Sequence, residues 1–380
     1  MRILVAPQGF KGTLTGWEAA EAIAEGVHRV LPDAELTLLP IADGGHGTLE
    51  ALMAATAGER HRLRVTGPLG ATVDAEWGVT GGSEPSAVVE MAQGSGLTLV
   101  PGTMRDPMRA TTYGTGQLIG AALSAGHRRI IVGVGGSATN DGGAGAAQAL
   151  GVQLRDASGN DLAFGAAGLL QLAHIDVAGR LPSIANATIE VATDVSNPLT
   201  GPTGAAMTYG PQKGGTPGML PILDAALANM ADVVERDLGI RLRDLPGAGA
   251  AGGLAAGLLA FLGAELSWGA DVVLDALDFD QHLSDADLLV TGEGRLDWQT
   301  VYHKAPIVAA ERASARGVPG IVVAGSVGEG AEDGLSHGIA LYEASSAPDA
   351  PMPASQGDAT AAVADAAERA MARWLARPFA

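Results

Sequence analysis

The stretch that most constrains this chain is Arg129-Ile130-Ile131-Val132-Gly133-Val134-Gly135-Gly136-Ser137-Ala138-Thr139-Asn140-Asp141-Gly142-Gly143-Ala144-Gly145. An apolar run led in by arginine is expected to be a buried strand, and the small residues after it turn the backbone through angles that a side chain forbids. A helix is then expected to start, with Asn140 or Asp141 as its N-cap. Strand, glycine turn and helix N-terminus form an anion site, because free amide N–H groups and the positive end of the helix dipole point at one spot. Gly135, Gly136, Ser137, Asn140 and Asp141 are therefore expected to contact a substrate or nucleotide. The spacing is neither GxGxxG nor GxxxxGKS/T, so the dinucleotide and Walker fingerprints do not apply. A plain glycine turn closing a βα unit is the competing reading.

The same grammar opens the chain. A strand to Pro7 and a loop from Gln8 to Thr13 precede a helix of about Gly16 to Leu31, for which Thr15 and Glu18 form a capping box. Leu36 to Ile41 is a second strand, followed by Ala42-Asp43-Gly44-Gly45-His46-Gly47-Thr48 and another helix. Two successive βα units imply a parallel sheet, whose ligands gather at the carboxyl ends of the strands. Lys11 and Asp43 then share one rim, although Asp43 reads equally as a helix cap.

From Arg60 the texture changes to alternating residues and turns, the pattern of hairpins, and a domain crossing is expected near Thr66 to Gly70. Ile189 to Val195 is a strand carrying Asp194 at its end. Asp287 to Val290 returns to α/β grammar, running into Thr291-Gly292-Glu293-Gly294-Arg295-Leu296-Asp297 with Lys304 shortly before a helix. A chain of 380 residues is long for one core, so two domains are expected.

Charge and composition exclude several classes. A formal charge of −19 argues against nucleic acid, whose phosphates need clustered lysine and arginine. There is no cysteine, hence no disulfide and no thiolate metal site. The chain opens directly on a strand without a leader, and the apolar stretch from Ala248 to Ala264 is broken by glycines, so a cytoplasmic protein with no membrane span is expected. The histidines show no HxH or HExxH spacing, against a zinc site. Only three of the 23 basic residues are lysines: Lys11, Lys213 and Lys304. Each lies in a turn-like context, where a compact charge on a flexible stem suits a phosphoryl oxygen or a carboxylate.

Six segments in order, Pro7-x-x-Phe10-Lys11-Gly12, Ala42-Asp43-Gly44-Gly45-x-Gly47-Thr48, Gly135 to Gly143, Gly210-Pro211-Gln212-Lys213-Gly214, Pro246 to Gly253 and Thr291-Gly292-Glu293-Gly294-x-x-Asp297, resemble the bacterial glycerate kinase family of the first type. The resemblance covers nearly the whole chain. It implies an α/β fold of two domains: a Rossmann-like domain with a parallel sheet built from both chain ends, and a second α/β domain inserted into it. The boundaries expected are 1–66 plus 283–380 and 67–282. It also implies ATP-dependent phosphorylation of D-glycerate, with 2-phosphoglycerate favoured, in the cleft between domains. The partners implied are small molecules alone, in a monomer or homodimer. The chain departs from the family pattern at Gln8 and Gly9, where aspartate and serine are usual, and at His46, Thr193 and His303, where glutamate, cysteine and glycine are usual.

Phosphoryl transfer needs the phosphate and the acceptor hydroxyl held in line, cations on the developing charge, and a carboxylate to take the proton. The expected catalytic set is Lys11, Asp43, Asp194, Lys213 and Lys304. Gly292, Arg295 and Asp297 are expected to bind substrate or nucleotide, and Glu293 to serve Mg2+, which retains several waters and needs only one or two carboxylates.

Overall fold

A computed structural model describes residues 1–10, 12–298, 300, 303–347, 352–353 and 355–377. The strands follow in the order β1 Arg2–Pro7, β2 Glu35–Leu38, β3 Glu59–Thr66, β4 Thr72–Val79, β5 Ala87–Glu90, β6 Arg129–Gly133 and β7 Gln153–Arg155. They continue with β8 His174–Asp176, β9 Thr188–Thr193, β10 Glu265–Trp268, β11 Leu288–Leu296, β12 Gly320–Val327 and β13 Ile339–Ala344. The fold is α/β, with two compact units.

The first unit comprises 1–43, 50–57 and 270–380. Its five-stranded sheet has the order β13-β12-β11-β1-β2, and every pairing is parallel. Successive side chains of a strand face opposite ways, so a parallel sheet covered on both faces must be apolar at every position. β12 shows this directly. Ile321 and Val323 pack with helices Gly16–Val30 and Gln356–Leu375, whereas Val322 and Ala324 pack with Ile307 and Ala310 of helix Ala305–Ala315. The chain leaves β1 for β2 on one side and reaches β11 on the other, so strand order reverses between β1 and β11. Such a switch point opens a crevice at the carboxyl ends of the two strands. The Thr15 capping box is formed: the Glu18 amide donates to the Thr15 hydroxyl at 3.2 Å, and the Thr15 amide donates to Glu18 Oε2 at 2.8 Å.

The second unit comprises 44–49 and 58–269. Its six-stranded sheet has the order β10-β9-β6-β5-β4-β3, parallel from β10 to β5 and antiparallel beyond. The crossing expected near 66 therefore needs correction. β3 pairs with β4 from Glu59↔Val79 to Thr66↔Thr72, Val65 enters the core beside Trp77, and the His61 ring stacks on Trp77 at 4.4 Å. Alternation in Arg62-Leu63-Arg64-Val65 identified a strand but not its sheet. At the other end, 270–282 belong to the first unit.

Candidate functional site

In the second unit, β6 feeds the glycine turn as expected, but the helix after it is short, Ala144–Ala149, and its N-cap is the left-handed Gly143 rather than Asn140 or Asp141. Asp141 lies inside the turn with no exposed surface. Its carboxylate accepts from the Thr112 amide at 2.8 Å, the Thr112 hydroxyl at 3.0 Å, and the Gly143 and Gly145 amides at 3.3 and 3.2 Å. Burial raises its pKa, against those hydrogen bonds. Two N–H groups at the start of the helix, those of Gly143 and Gly145, are thus taken by the chain's own carboxylate. Asn140 is equally buried, and both polar atoms of its side chain lack a partner among the described residues. Ser137 is buried too, while Gly135 is half-buried and Gly136 exposed, so the accessible part of this segment is its first turn.

Lys213 is also wholly internal. Its ammonium donates to the Thr139 carbonyl at 2.7 Å, and burial pushes its pKa down to about 7 against the pull of Asp141. It is a pin of the glycine turn rather than a charge on a cavity wall. Against the same carbonyl lies Gly252, the middle of three left-handed residues with Ala251 and Gly253. A Cβ at Gly252 would stand 2.0 Å from Thr139 O, so only glycine permits the approach.

Asp194 follows β9 and is exposed. Tyr209 lies near enough that its pKa is raised by burial and then by the Asp194 charge; its hydroxyl donates to Asn197 Oδ1 at 2.7 Å. Thr193 and Val195 line a cavity of about 160 Å³ with Ser196, Pro246, Gly247, Leu266, Ser267 and Trp268.

The first unit carries the charged cavity. It measures about 340 Å³ and is lined by Gln8, Gly9, Thr13, Asp43, Glu293, Gly294, Arg295, Lys304 and Met352. Gln8 and Gly9 continue from β1 and Glu293 to Arg295 lie near the end of β11, which places the cavity at the switch point. Asp43 is 4% exposed and accepts from the Gln8 side-chain amide at 2.7 Å. Glu293 is 5% exposed, its Oε1 has no hydrogen-bond partner among the described residues, and its Oε2 lies 3.7 Å from Lys304 Nζ. Burial raises the Glu293 pKa to about 7; Lys304 and Thr300 oppose the rise, and the charges of Asp297 and Asp43 add to it. Arg295 Nε donates to Asp297 Oδ2 at 2.9 Å, and the Asp297 amide donates to the Thr300 hydroxyl at 3.1 Å. Gly292 lies inside β11, where a Cβ would stand 2.4 Å from Val323 O, so its role is close strand packing.

Of the residues expected from sequence, Asp43, Glu293, Arg295 and Lys304 thus share one cavity, with Asp297 held beside it by Arg295. Lys11 lies outside the described residues. Thr13 and Met352 line the cavity without having been expected. Thr13 closes the loop after β1, where its place was visible. Met352 lies far along the chain from every motif, and nothing local marked it. Among the described residues no group of three or more His, Asp or Glu is placed to hold a metal, and none of the helices is long and apolar enough to cross a membrane.

A parallel sheet with a charged cavity at its switch point, joined in one chain to a second α/β unit with a glycine-rich turn, defines an α/β enzyme acting on a small charged molecule. A sequence model described as the glycerate kinase family matches residues 3–375. The chain is 50% identical over 337 residues to a glycerate kinase of Halalkalibacterium halodurans, covering 89% of this chain and 88% of that protein. It is 47% identical over 339 residues to the glycerate 2-kinase of Escherichia coli K12, covering 89% of each. The crystal structure of a protein described as glycerate kinase 2 of Salmonella typhimurium LT2 superimposes with a TM-score of 0.86 at 46% identity, over 99% of this chain and 98% of that one. The chain belongs to the glycerate kinase family and is an enzyme of it.

Proposed function

We propose that this protein transfers the γ-phosphoryl group of ATP to D-glycerate, with 2-phosphoglycerate as the favoured product. The observation that carries this reading is the cavity at the β1/β11 switch point, where Asp43 and Glu293 are buried beside Lys304 and Arg295. Buried carboxylates next to lysine and arginine match a phosphoryl donor and its cation better than they match an apolar substrate. In this reading the first unit is the Rossmann-like domain built from both chain ends, and the second is the inserted domain.

The residues present fit magnesium. Glu293 offers a buried, unpartnered oxygen, and burial that Lys304 offsets only in part raises its pKa, so a further positive charge there would favour the carboxylate form. Glu293, with Asp43 beside it, would hold Mg2+, which when bound neutralises phosphate charge. Lys304 and Arg295 bind phosphoryl oxygens. Asp194 is the proposed proton acceptor, while Lys213 acts by holding the Thr139 carbonyl and so the glycine turn.

The test is ADP release with D-glycerate against a no-acceptor control, with the product's phosphorylated position read by 31P-coupled NMR. No ADP above the control would sink the reading. Asp194→Asn and Glu293→Gln divide the roles. Loss of a general base lowers kcat by ~10² to 10⁴, and added magnesium does not restore it. Glu293→Gln should recover part of its activity as magnesium rises. Recovery of Asp194→Asn instead would reverse the two assignments.

A further inference from the structure

We propose that His303, tethered to Asp271, is a positioning residue that aims Lys304 into the charged cavity. The inference rests on the phosphotransfer reading for its kinetic consequence, but the geometry is independent of it. Lys304 is the N-cap of helix Ala305–Ala315, which fixes the backbone on its carboxyl side. On its amino side stands His303 with φ +62°, a left-handed conformation that is strained for a residue with a Cβ.

A strained residue holds its conformation only when its surroundings over-determine it. Here they do. His303 Nε2 lies 2.6 Å from Asp271 Oδ2, and the other carboxylate oxygen of Asp271 accepts from Arg312 Nη2 at 2.5 Å. Arg312 belongs to the helix that Lys304 caps and also binds Asp275 at 2.6 Å. The path from His303 through Asp271 and Arg312 back along the helix to Lys304 is therefore a closed ring of one covalent segment and two charge-assisted contacts. Burial pushes the Asp271 pKa up, but the hydrogen bonds from His303 and Arg312 hold it below the usual carboxylate range, as expected of an ionised hub. The ring leaves the flexible Lys304 stem one anchored origin, from which its ammonium reaches Glu293. A lysine fixed at its Cα loses less entropy on meeting an anion than one on a mobile loop.

The experiment is a double-mutant cycle on kcat in which Lys304→Ala removes the effector and His303→Gly removes the tether. Glycine adopts the left-handed conformation freely, so the variant should not unfold through strain. If His303 acts through Lys304, His303→Gly should lower kcat roughly tenfold in the unaltered protein and less than about twofold in the Lys304→Ala background. His303→Gln, which keeps an N–H donor for Asp271, should recover part of the loss. Losses that multiply across the cycle, or full kcat in His303→Gly, would overturn the proposal.

A second measurement needs no turnover. Because the chain has three lysines, 13C-dimethylation gives a sparse spectrum in which the Lys304 signal is assigned through Lys304→Arg. His303→Gly should move that signal to the position of a freely exposed lysine, and an unmoved signal would overturn the proposal even if D-glycerate were not the acceptor. A wild-type protein that releases no ADP with D-glycerate while the signal does move would count against the substrate and not against the tether.

Discussion

Lys213 shows how far one residue's role depends on where its side chain ends. Placed in a glycine-rich loop by sequence, it has its charge buried against Thr139 O and Asp141. Its folded pKa is depressed to about 7 from 10.5, so between those values the unfolded chain carries a proton that the folded chain has released. Stability therefore rises with pH across that window and is lowest, for this group, below pH 7. Lys213→Met lacks the term. Relative to the unaltered protein it should be most stable near pH 6 and lose ground steadily towards pH 10. Urea unfolding at both pH values checks the sign, and a difference independent of pH would show that the lysine is not buried as a charge. The same variant should lower kcat by displacing the glycine turn while leaving the KM for each substrate within about threefold.

At the scale of elements, packing overrides local propensity where helices cross closely. Gly26 lies inside helix Gly16–Val30, where alanine would improve helix propensity by about 1 kcal/mol. A Cβ there would stand 2.1 Å from Ala364 O of helix Gln356–Leu375, a backbone atom with no freedom to withdraw. Overpacking costs about 1 to 3 kcal/mol or more, so the steric effect wins. Gly26→Ala should lower the melting temperature by several degrees, and a rise would mean that the two helices do not meet as described. The capping box at Thr15 was legible because both partners lie within four residues. The glycine turn was legible as a strand and a turn, but not in its helix. Asp141 is held from outside its turn by the Thr112 amide, and the left-handed turn at Ala251 to Gly253 packs on Thr139, Asn140 and Gly142 from more than a hundred residues away. No window of sequence contains those partners.

For the whole molecule, the placement of β3 decides where a fragment must be cut. His61, Leu63 and Val65 stand beside Trp77, Ala75 and Val73 of the neighbouring strand, and removing β3 leaves β4, with Trp77 and Ala75, as the edge of the sheet. A fragment 58–269 should fold as a monomer with a cooperative thermal transition, whereas 67–269 should aggregate or melt more than 10 °C lower, since an uncovered apolar edge strand templates association. Light scattering and circular dichroism compare the two. Equal stability would return the boundary to residue 66.

The sequence by itself determined the family, because six ordered motifs separated by variable lengths leave little room for coincidence, and it determined the α/β grammar, because strand and helix periodicities are local. It also marked Asp43, Glu293, Arg295 and Lys304, each within a few residues of a strand or helix end. Only the tertiary structure decided which of the marked residues meet a cavity and which are consumed inside. Lys213 and Lys304 stand in similar glycine-rich or turn-like surroundings, yet one ends beneath a carbonyl with 1% exposure and the other opens towards Glu293. Burial and pairing are set by segments distant in the chain. A charge is therefore written in the sequence, while its accessibility and pKa belong to the fold.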